Sequence, residues 1–192
     1  YLDIIKDRLY TEKADSVARR AAQTTMYYIL DALVKILTPM ISFTAEEIWS
    51  AMNHTEKENV ESPMLADYPV SNDEWDNKEI AEKWEKIIKV KNIVAKDLEL
   101  ARAEKTIGNS LDAKVTIYAE GEEYKFLKEN EELIKLVLIV SGLEIQENNR
   151  KQEEKLGVKV EHATGEKCER CWMYNDHLED GLCPRCKEVL EK

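Results

Sequence analysis

Apolar residues near the start of the chain recur at the spacing of an α-helix. The pattern is helical from residue 1 to about residue 37, and Pro39 ends it because proline cannot continue the hydrogen-bond ladder of a helix. Steps of four and three residues along this stretch predict one buried stripe. The stripe consists of Ala22, Met26, Ile29, Leu33 and Ile36.

A second helix is predicted soon after this proline. Thr44 and Glu47 have the spacing of a capping box, in which the hydroxyl and the carboxylate each bind an unpaired amide. We expect the helix to run through Ile48 and Trp49 to about Met52. Residues 54–72 contain two prolines and little periodicity, which indicates an extended connection across the surface of a helical bundle.

A third long helix is predicted to begin near Asn72 or Asp73 and to end near Thr106, with Gly108 as a left-handed cap. The residues expected to point inward from it are Ile80, Trp84, Ile87, Val94 and Leu98. Antiparallel packing of such helices makes a bundle. The first predicted domain is therefore a helical bundle over residues 1–108.

The hydrophobic period changes after Gly108. Residues 113–118 alternate between apolar and polar and are rich in β-branched side chains, which predicts a strand. Residues 124–136 are predicted to be helical, and 148–155 to be a charged loop. Further short strands are expected at 137–140, 143–145 and 158–161. Together these elements predict a small α+β junction unit over residues 109–163, followed by a tail from 164 to 192.

The charge balance restricts the possible partners. The chain has 39 acidic against 28 Lys and Arg residues and a formal net charge of −11, which is unfavourable for a nucleic-acid binder unless local patches make the contacts. One basic stretch runs from 86 to 114, with seven basic and four acidic residues. There is no secretory signal and no long apolar run, which predicts a cytoplasmic protein without a membrane segment. Because the pattern is already helical at Tyr1, we expect a fragment of a longer chain.

The tail contains the most specific motif. Its four cysteines form two C-x-x-C pairs separated by eleven residues, which is the spacing of a four-thiolate zinc site. The predicted ligands are Cys168, Cys171, Cys183 and Cys186. Structural disulfides and a redox-active C-x-x-C are the alternatives, and His162 or His177 is a possible substitute for one thiol. Four protein ligands leave no open position, so the single zinc ion is predicted to be structural and not catalytic.

Basic side chains accompany the cysteines. Arg170 and Arg185 each stand directly before the second cysteine of a pair, and Lys167 and Lys187 flank the motif. Four thiolates on one divalent ion leave a net negative charge, so these cations are expected to neutralise the cluster or, alternatively, to clamp phosphates. Few apolar residues lie nearby, and metal binding would supply the missing folding energy, about 10 kcal/mol or more.

Three segments together resemble one family. LTPMISFTAEEIWS (37–50), ARAEKTIGNSLDAKV (101–115) and KCERCWMYNDHLEDGLCPRC (167–186) are similar, in this order, to the C-terminal part of bacterial-type isoleucyl-tRNA synthetases, which are class I aminoacyl-tRNA synthetases. The opening YLDIIKDRLYTEKADSVARRAAQT resembles the anticodon-binding domain of the same family. The resemblance implies a mainly α fold: an anticodon-binding helical bundle, a small α+β junction unit and a C-terminal four-cysteine zinc finger.

The resemblance also implies that catalysis and editing take place on other domains of the enzyme. The family's catalytic domain attaches isoleucine to tRNA(Ile) with ATP, and an inserted domain edits mischarged valine, since one methylene gives too little discrimination in an apolar pocket. The chain has no HIGH-like or KMSKS-like motif. We therefore expect no catalytic residue in this chain, and ATP binding only in the absent catalytic domain. The expected partners are the anticodon stem-loop of tRNA(Ile) and the missing N-terminal catalytic and editing domains.

Unpaired bases are read by stacking on aromatic or guanidinium planes, and Trp172 holds the position at which the family offers a ring to an anticodon base. The alternative is that Trp172 fills the small zinc core. The other predicted tRNA contacts are Arg170, Arg185, Lys167, Arg102, Lys105, Arg8, Arg19 and Arg20. Arg102 and Lys105 have a second explanation, because cations in a last helical turn complement the helix dipole. The remaining tryptophans, Trp49, Trp75 and Trp84, are expected to be core or half-buried.

Two other functional classes stay open on sequence alone. The tail is also compatible with a zinc ribbon that docks a protein or binds nucleic acid in general. An enzyme in which the paired thiols form a redox centre is the less favoured alternative.

Overall fold

The computed structural model describes residues 1–56, 60–148 and 156–191. The described residues form seven α-helices: α1 (Leu2–Thr11), α2 (Val17–Leu37), α3 (Ser42–Ala51), α4 (Lys78–Ala103), α5 (Gly121–Glu129), α6 (Glu131–Leu138) and α7 (Pro184–Leu190). They also form the strands β1 (Ala113–Ala119), β2 (Gly142–Glu147), β3 (Gly157–His162), β4 (Glu166–Lys167) and β5 (Tyr174–Asn175). A mainly helical chain with a small sheet is therefore confirmed. Packing separates it into a helical unit, Glu12–Asn77, and an α/β unit made of Tyr1–Thr11 and Lys78–Lys192.

The helical unit is built on α2 and α3. Helix α2 starts after Ser16, whose hydroxyl accepts a hydrogen bond from the Arg19 amide, and ends before Pro39 as predicted. Helix α3 ends at Ala51, close to the predicted Met52, but it begins at Ser42. Thr44 therefore lies inside the helix and the predicted capping box is wrong. Trp49 is buried, and its indole N–H donates to the Val60 carbonyl at 3.0 Å.

The predicted buried stripe of α2 is only partly correct. Ala22 is buried, whereas Ile29, Leu33 and Ile36 are 47%, 47% and 45% exposed. Within the helical unit α2 instead packs Val34 against Ala45 and Trp49. The spacing identified an apolar face of α2, but the face that packs into the small core of this unit is a neighbouring one. Trp75, predicted to be at least half-buried, is 64% exposed.

The α/β unit places α4 against a three-stranded sheet. The strand order is β2-β1-β3, with β1 parallel to β2 and antiparallel to β3. The central strand β1 is almost wholly buried, which explains its β-branched residues. Of the residues predicted to point inward from α4, Ile87, Val94 and Leu98 are buried and Trp84 is half-buried, but Ile80 is 54% exposed. One core thus contains α4, the sheet, α5 and α6.

Helices α5 and α6 form the crossover between the parallel strands β1 and β2. The predicted helix at 124–136 and the strands at 143–145 and 158–161 are confirmed. The strand predicted at 137–140 is wrong, because α6 continues to Leu138 and Ile139 takes a left-handed conformation with φ 57°. The apolar residues at this position are buried on a helix. A short apolar run is compatible with a buried helix or a buried strand, so the sequence alone does not distinguish them. Of the predicted loop, residues 149–155 lie outside the described residues.

The end of α4 differs from the sequence prediction. The helix stops at Ala103, and Lys105, not Gly108, is left-handed with φ 62°. The Thr106 amide donates to the Ala101 carbonyl at 2.9 Å and the Lys105 amide to the Arg102 carbonyl at 3.0 Å. These two bonds are a Schellman motif that closes the helix.

Gly108 serves the following turn instead. Its amide and that of Asn109 donate to Asp112 Oδ2 at 3.1 and 2.9 Å, and the Asn109 side chain caps a short 3₁₀ turn. This turn leads the chain directly into β1. The division into 1–108, 109–163 and 164–192 stays a prediction about domains, while the packing groups α1 and α4 with the sheet.

Candidate metal centre and adjoining groove

The four cysteines meet at one point in the tail. All four are buried, and their sulfur atoms lie within 4.8 Å of one another, with Cys171 Sγ 3.8 Å from Cys183 Sγ. A tetrahedral zinc ion with Zn–S bonds of about 2.3 Å places its sulfurs about 3.8 Å apart. The donor set therefore fits a four-thiolate metal ion. His162 and His177, the predicted substitutes, are exposed and do not belong to this cluster.

Short backbone turns hold the cysteines in place. In the first pair, the Trp172 amide donates to the Cys168 carbonyl and the Cys168 amide to the Met173 carbonyl, both at 2.9 Å. The second pair is tied to the first through the Cys183 amide, which lies 3.4 Å from Cys168 Sγ. Pro184 then starts α7 in the first helical turn, where its missing N–H costs nothing. The only apolar cover in the described part is Met173, Leu178 and Leu182.

Burial and hydrogen bonding shift the pKa values of the thiols in opposite directions. Burial raises the pKa of Cys171 to about 12. Burial also opposes ionisation of Cys168, but amide hydrogen bonds from Cys171, Cys183 and Arg170 lower its pKa to about 6. The backbone thus stabilises a thiolate at Cys168, whereas Cys171 needs a cation to ionise. A divalent metal supplies that charge.

Arg185 binds helix α1. Its Nη1 and Nη2 donate to Asp7 Oδ2 and Oδ1 at 2.5 and 2.7 Å, a bidentate pair. Burial alone would raise the pKa of Asp7, but the hydrogen bonds from Arg185 and Thr11 hold it below its ordinary value. Arg170 also reaches α1, donating from Nη1 to the Thr11 carbonyl at 2.7 Å. Both predicted tRNA contacts therefore have partners in the protein, and their role as phosphate clamps stays a prediction.

Trp172 lies on the surface of the tail. Its side chain is 58% exposed, so it does not fill the metal core, and its backbone is left-handed with φ 64°. Lys167 Nζ lies 6.0 Å from the Trp172 ring centroid and 5.9 Å from that of Tyr174, within cation–π range. Lys167 also lies 3.7 Å from Asp112 Oδ1.

An open groove of about 920 Å³ runs between α1, the end of α6 and the four-cysteine tail. Trp172 lines it together with Tyr10, Leu136 and Ile139, and Lys6 is a cation beside them. Tyr10 is 74% exposed, so the groove offers two accessible aromatic rings. The sequence analysis missed Tyr10, because one tyrosine at the end of a helix has no local signature of a binding residue.

The other predicted contacts are dispersed. Arg102 binds Glu99 and donates to Ser110 Oγ at 2.7 Å, and Lys105 is exposed at the Schellman turn. Arg8 is half-buried on α1. Arg19 and Arg20 belong to the helical unit, where Arg19 donates to the Glu12 carbonyl at 3.0 Å and Arg20 is exposed. None of the described helices is long and apolar enough to cross a membrane.

The chain is similar to one known protein family and to several curated proteins. The family model described as anticodon-binding domain of tRNA ligase matches residues 1–117. The whole chain is 46% identical over 205 residues to an isoleucine–tRNA ligase of Caldanaerobacter subterraneus subsp. tengcongensis and covers 22% of it. It is 49% identical over 197 residues to that of Caldicellulosiruptor saccharolyticus and covers 21% of it. The chain thus spans about a fifth of the length of these curated relatives.

Proposed function

Because the chain belongs to the anticodon-binding domain family of tRNA ligases, we propose that it recognises the anticodon stem-loop of tRNA(Ile) as part of an isoleucine–tRNA ligase. In this proposal, activation of isoleucine with ATP and editing of valine belong to domains outside this chain. The catalytic and editing domains of the same enzyme are then its covalent partners, in the cytoplasm.

The observation that carries the proposal is the exposed Trp172 ring beside the groove. A ring that is 58% exposed contributes little to a core, whereas an unpaired base can stack on it. Tyr10 provides a second ring on the same groove. Lys6 and Lys167 add positive charge near these rings for the phosphate backbone, although the chain as a whole is acidic.

The four cysteines are proposed to hold one structural zinc ion. Their buried sulfurs have the spacing that a tetrahedral site needs. With four thiolates bound, the ion has no open position and would serve as the folding centre that presents Trp172. A redox role for the pairs is less consistent with four sulfurs that converge on one point.

A tRNA titration tests the proposal. We expect Trp172→Ala to weaken binding of tRNA(Ile) by about 1 to 3 kcal/mol, or roughly 5- to 150-fold, and Trp172→Phe to retain most of the affinity. Trp75→Ala is the matched control, because Trp75 is a tryptophan of similar exposure in the helical unit. Zinc content is measured on each variant. Unchanged binding by Trp172→Ala with zinc retained would contradict the stacking role and favour a module that docks a protein.

A further inference from the structure

The two arginines of the tail each stand beside a cysteine of the metal centre along the chain and contact helix α1. Arg185, which binds Asp7 through both terminal nitrogens, directly precedes Cys186. Arg170, which donates to the Thr11 carbonyl, directly precedes Cys171. Each pair of cysteines therefore has one bridge to α1.

The α1 ends of these bridges are connected to each other. The Thr11 hydroxyl donates to Asp7 Oδ1 at 2.8 Å, the oxygen that also accepts from Arg185 Nη2 at 2.7 Å. Thr11 is buried, and the Asp7 side chain is 18% exposed. Hydrogen bonds between charged groups are strong in such partly desolvated positions. Asp7 is therefore at the centre of one network that includes both arginines.

A metal bound by four thiolates changes the charge at the other end of the bridges. The loaded centre carries net negative charge, so guanidinium groups held in the same tail stabilise it. Removal of the metal removes the ion that folds the tail, so the two arginines are no longer held in position beside α1. Outer-shell partners of metal ligands commonly change metal affinity by about 10- to 100-fold.

We propose that helix α1 is the docking surface of the four-cysteine tail, and that Asp7 is a positioning residue that couples this docking to metal binding through Arg185 and Arg170. The proposal rests on the proposed zinc site, but it does not require tRNA binding. Coupling free energy is reciprocal, so the docked tail binds zinc more tightly, and bound zinc holds the tail more firmly on α1. Since α1 and the tail are two walls of the groove, metal binding also stabilises the groove.

Zinc competition with a chromogenic chelator tests the coupling. We expect Asp7→Asn to lower zinc affinity about tenfold, because it removes the charge that holds Arg185 and keeps a side chain of the same shape. Asp3→Asn is the control on the same helix, since Asp3 is exposed and pairs only locally with Lys6 among the described contacts. The double variant Asp7→Asn with Arg185→Gln should bind zinc little more weakly than Arg185→Gln alone, since the direct contact of Asp7 with the tail is to that arginine.

Hydrogen exchange of α1 provides the second readout. In the wild-type chain, removal of zinc should lower amide protection in Leu2–Thr11 as well as in the tail, whereas in Asp7→Asn the protection of α1 should no longer depend on zinc. Equal zinc affinities of Asp7→Asn and Asp3→Asn would overturn the coupling. So would amide protection of wild-type α1 that is the same with and without zinc. A wild-type chain that binds no zinc would instead overturn the metal site of the proposed function.

Discussion

A Cβ atom placed on Gly165 would lie 2.3 Å from the carbonyl oxygen of Asn175, on the opposite side of the β4–β5 ladder. Gly165 also has φ 84°, a conformation that other residues rarely adopt. Only glycine allows the two backbones to approach this closely where the chain enters the four-cysteine tail.

We therefore expect Gly165→Ala to disrupt the β4–β5 pairing and to accelerate zinc release. Gly121→Ala is the control, because Gly121 has a similar φ of 58° but no atom within 4 Å of an added Cβ. The control should cost only the conformational strain of about 1 to 2 kcal/mol. Zinc release to a chelator distinguishes the variants, and an unchanged release rate for Gly165→Ala would contradict the proposed role of this contact.

Zinc removal should unfold the tail without unfolding the sheet. The tail has a very small apolar core, whereas β1 lies in a core shared with α4, α5 and α6. We expect chelation to abolish hydrogen-exchange protection in residues 166–190 and to leave that of Ala113–Ala119 near its original level. Loss of protection in both regions together would mean that the metal stabilises the whole unit.

The lowered pKa of Asp112 predicts that the stability of the protein depends on pH. Burial alone would raise its pKa, but hydrogen bonds from the Asn109 and Gly108 amides, helped by Lys167, hold the pKa below its ordinary value of 3.8. An acid with a lowered folded-state pKa stabilises the protein above its unfolded-state pKa, and this contribution is lost as the pH falls through the folded-state value.

Asp112→Ala should therefore lower the free energy of unfolding by about 1 to 3 kcal/mol at neutral pH, because the Gly108 and Asn109 amides lose a charged acceptor. Denaturant titrations should show that the difference from wild type shrinks below about pH 4. Ala substitution of the exposed Asp76 is the control and should change stability little. A difference that stays constant down to pH 3 would show that the charge of Asp112 is not the stabilising feature.

Lys105 offers a stabilising substitution. It is the left-handed residue of the Schellman motif, a conformation that costs a residue with a Cβ about 1 to 2 kcal/mol. Lys105→Gly relieves this strain against an entropy cost of about 0.5 to 1 kcal/mol, so a gain of up to about 1.5 kcal/mol is expected. Lys91→Gly, in the middle of α4, should lose about 0.8 to 1 kcal/mol, and thermal unfolding compares the two.

The same variant tests the predicted tRNA contact of Lys105. If its ammonium binds a phosphate, Lys105→Gly weakens tRNA binding and lowers its salt dependence while the protein becomes more stable. A more stable variant with unchanged tRNA affinity would restrict Lys105 to a structural role.

Local patterns predicted most elements of the fold. The strand β1 was recognisable because alternation and β-branched residues coincide, and the end of α2 because Pro39 stops a helix. The helix ends were harder to predict. Thr44 matches a capping box but lies inside α3, and Gly108 matches a helix cap although Lys105 fills that position. Cap motifs are short, and tertiary contacts can move a helix end by several residues without changing them.

The sequence by itself determined the cysteine centre and the family. Ligand spacing is a local property, so two C-x-x-C pairs were sufficient to indicate a metal site, and the resemblance to isoleucyl-tRNA synthetases was confirmed over the whole chain. Only the tertiary structure decided which helix faces are buried and what the tail contacts. Arg185 and Asp7 are 178 positions apart, and Tyr10 shares a groove with Trp172. Such contacts depend on how distant elements pack, and the spacing of residues along one element does not encode them.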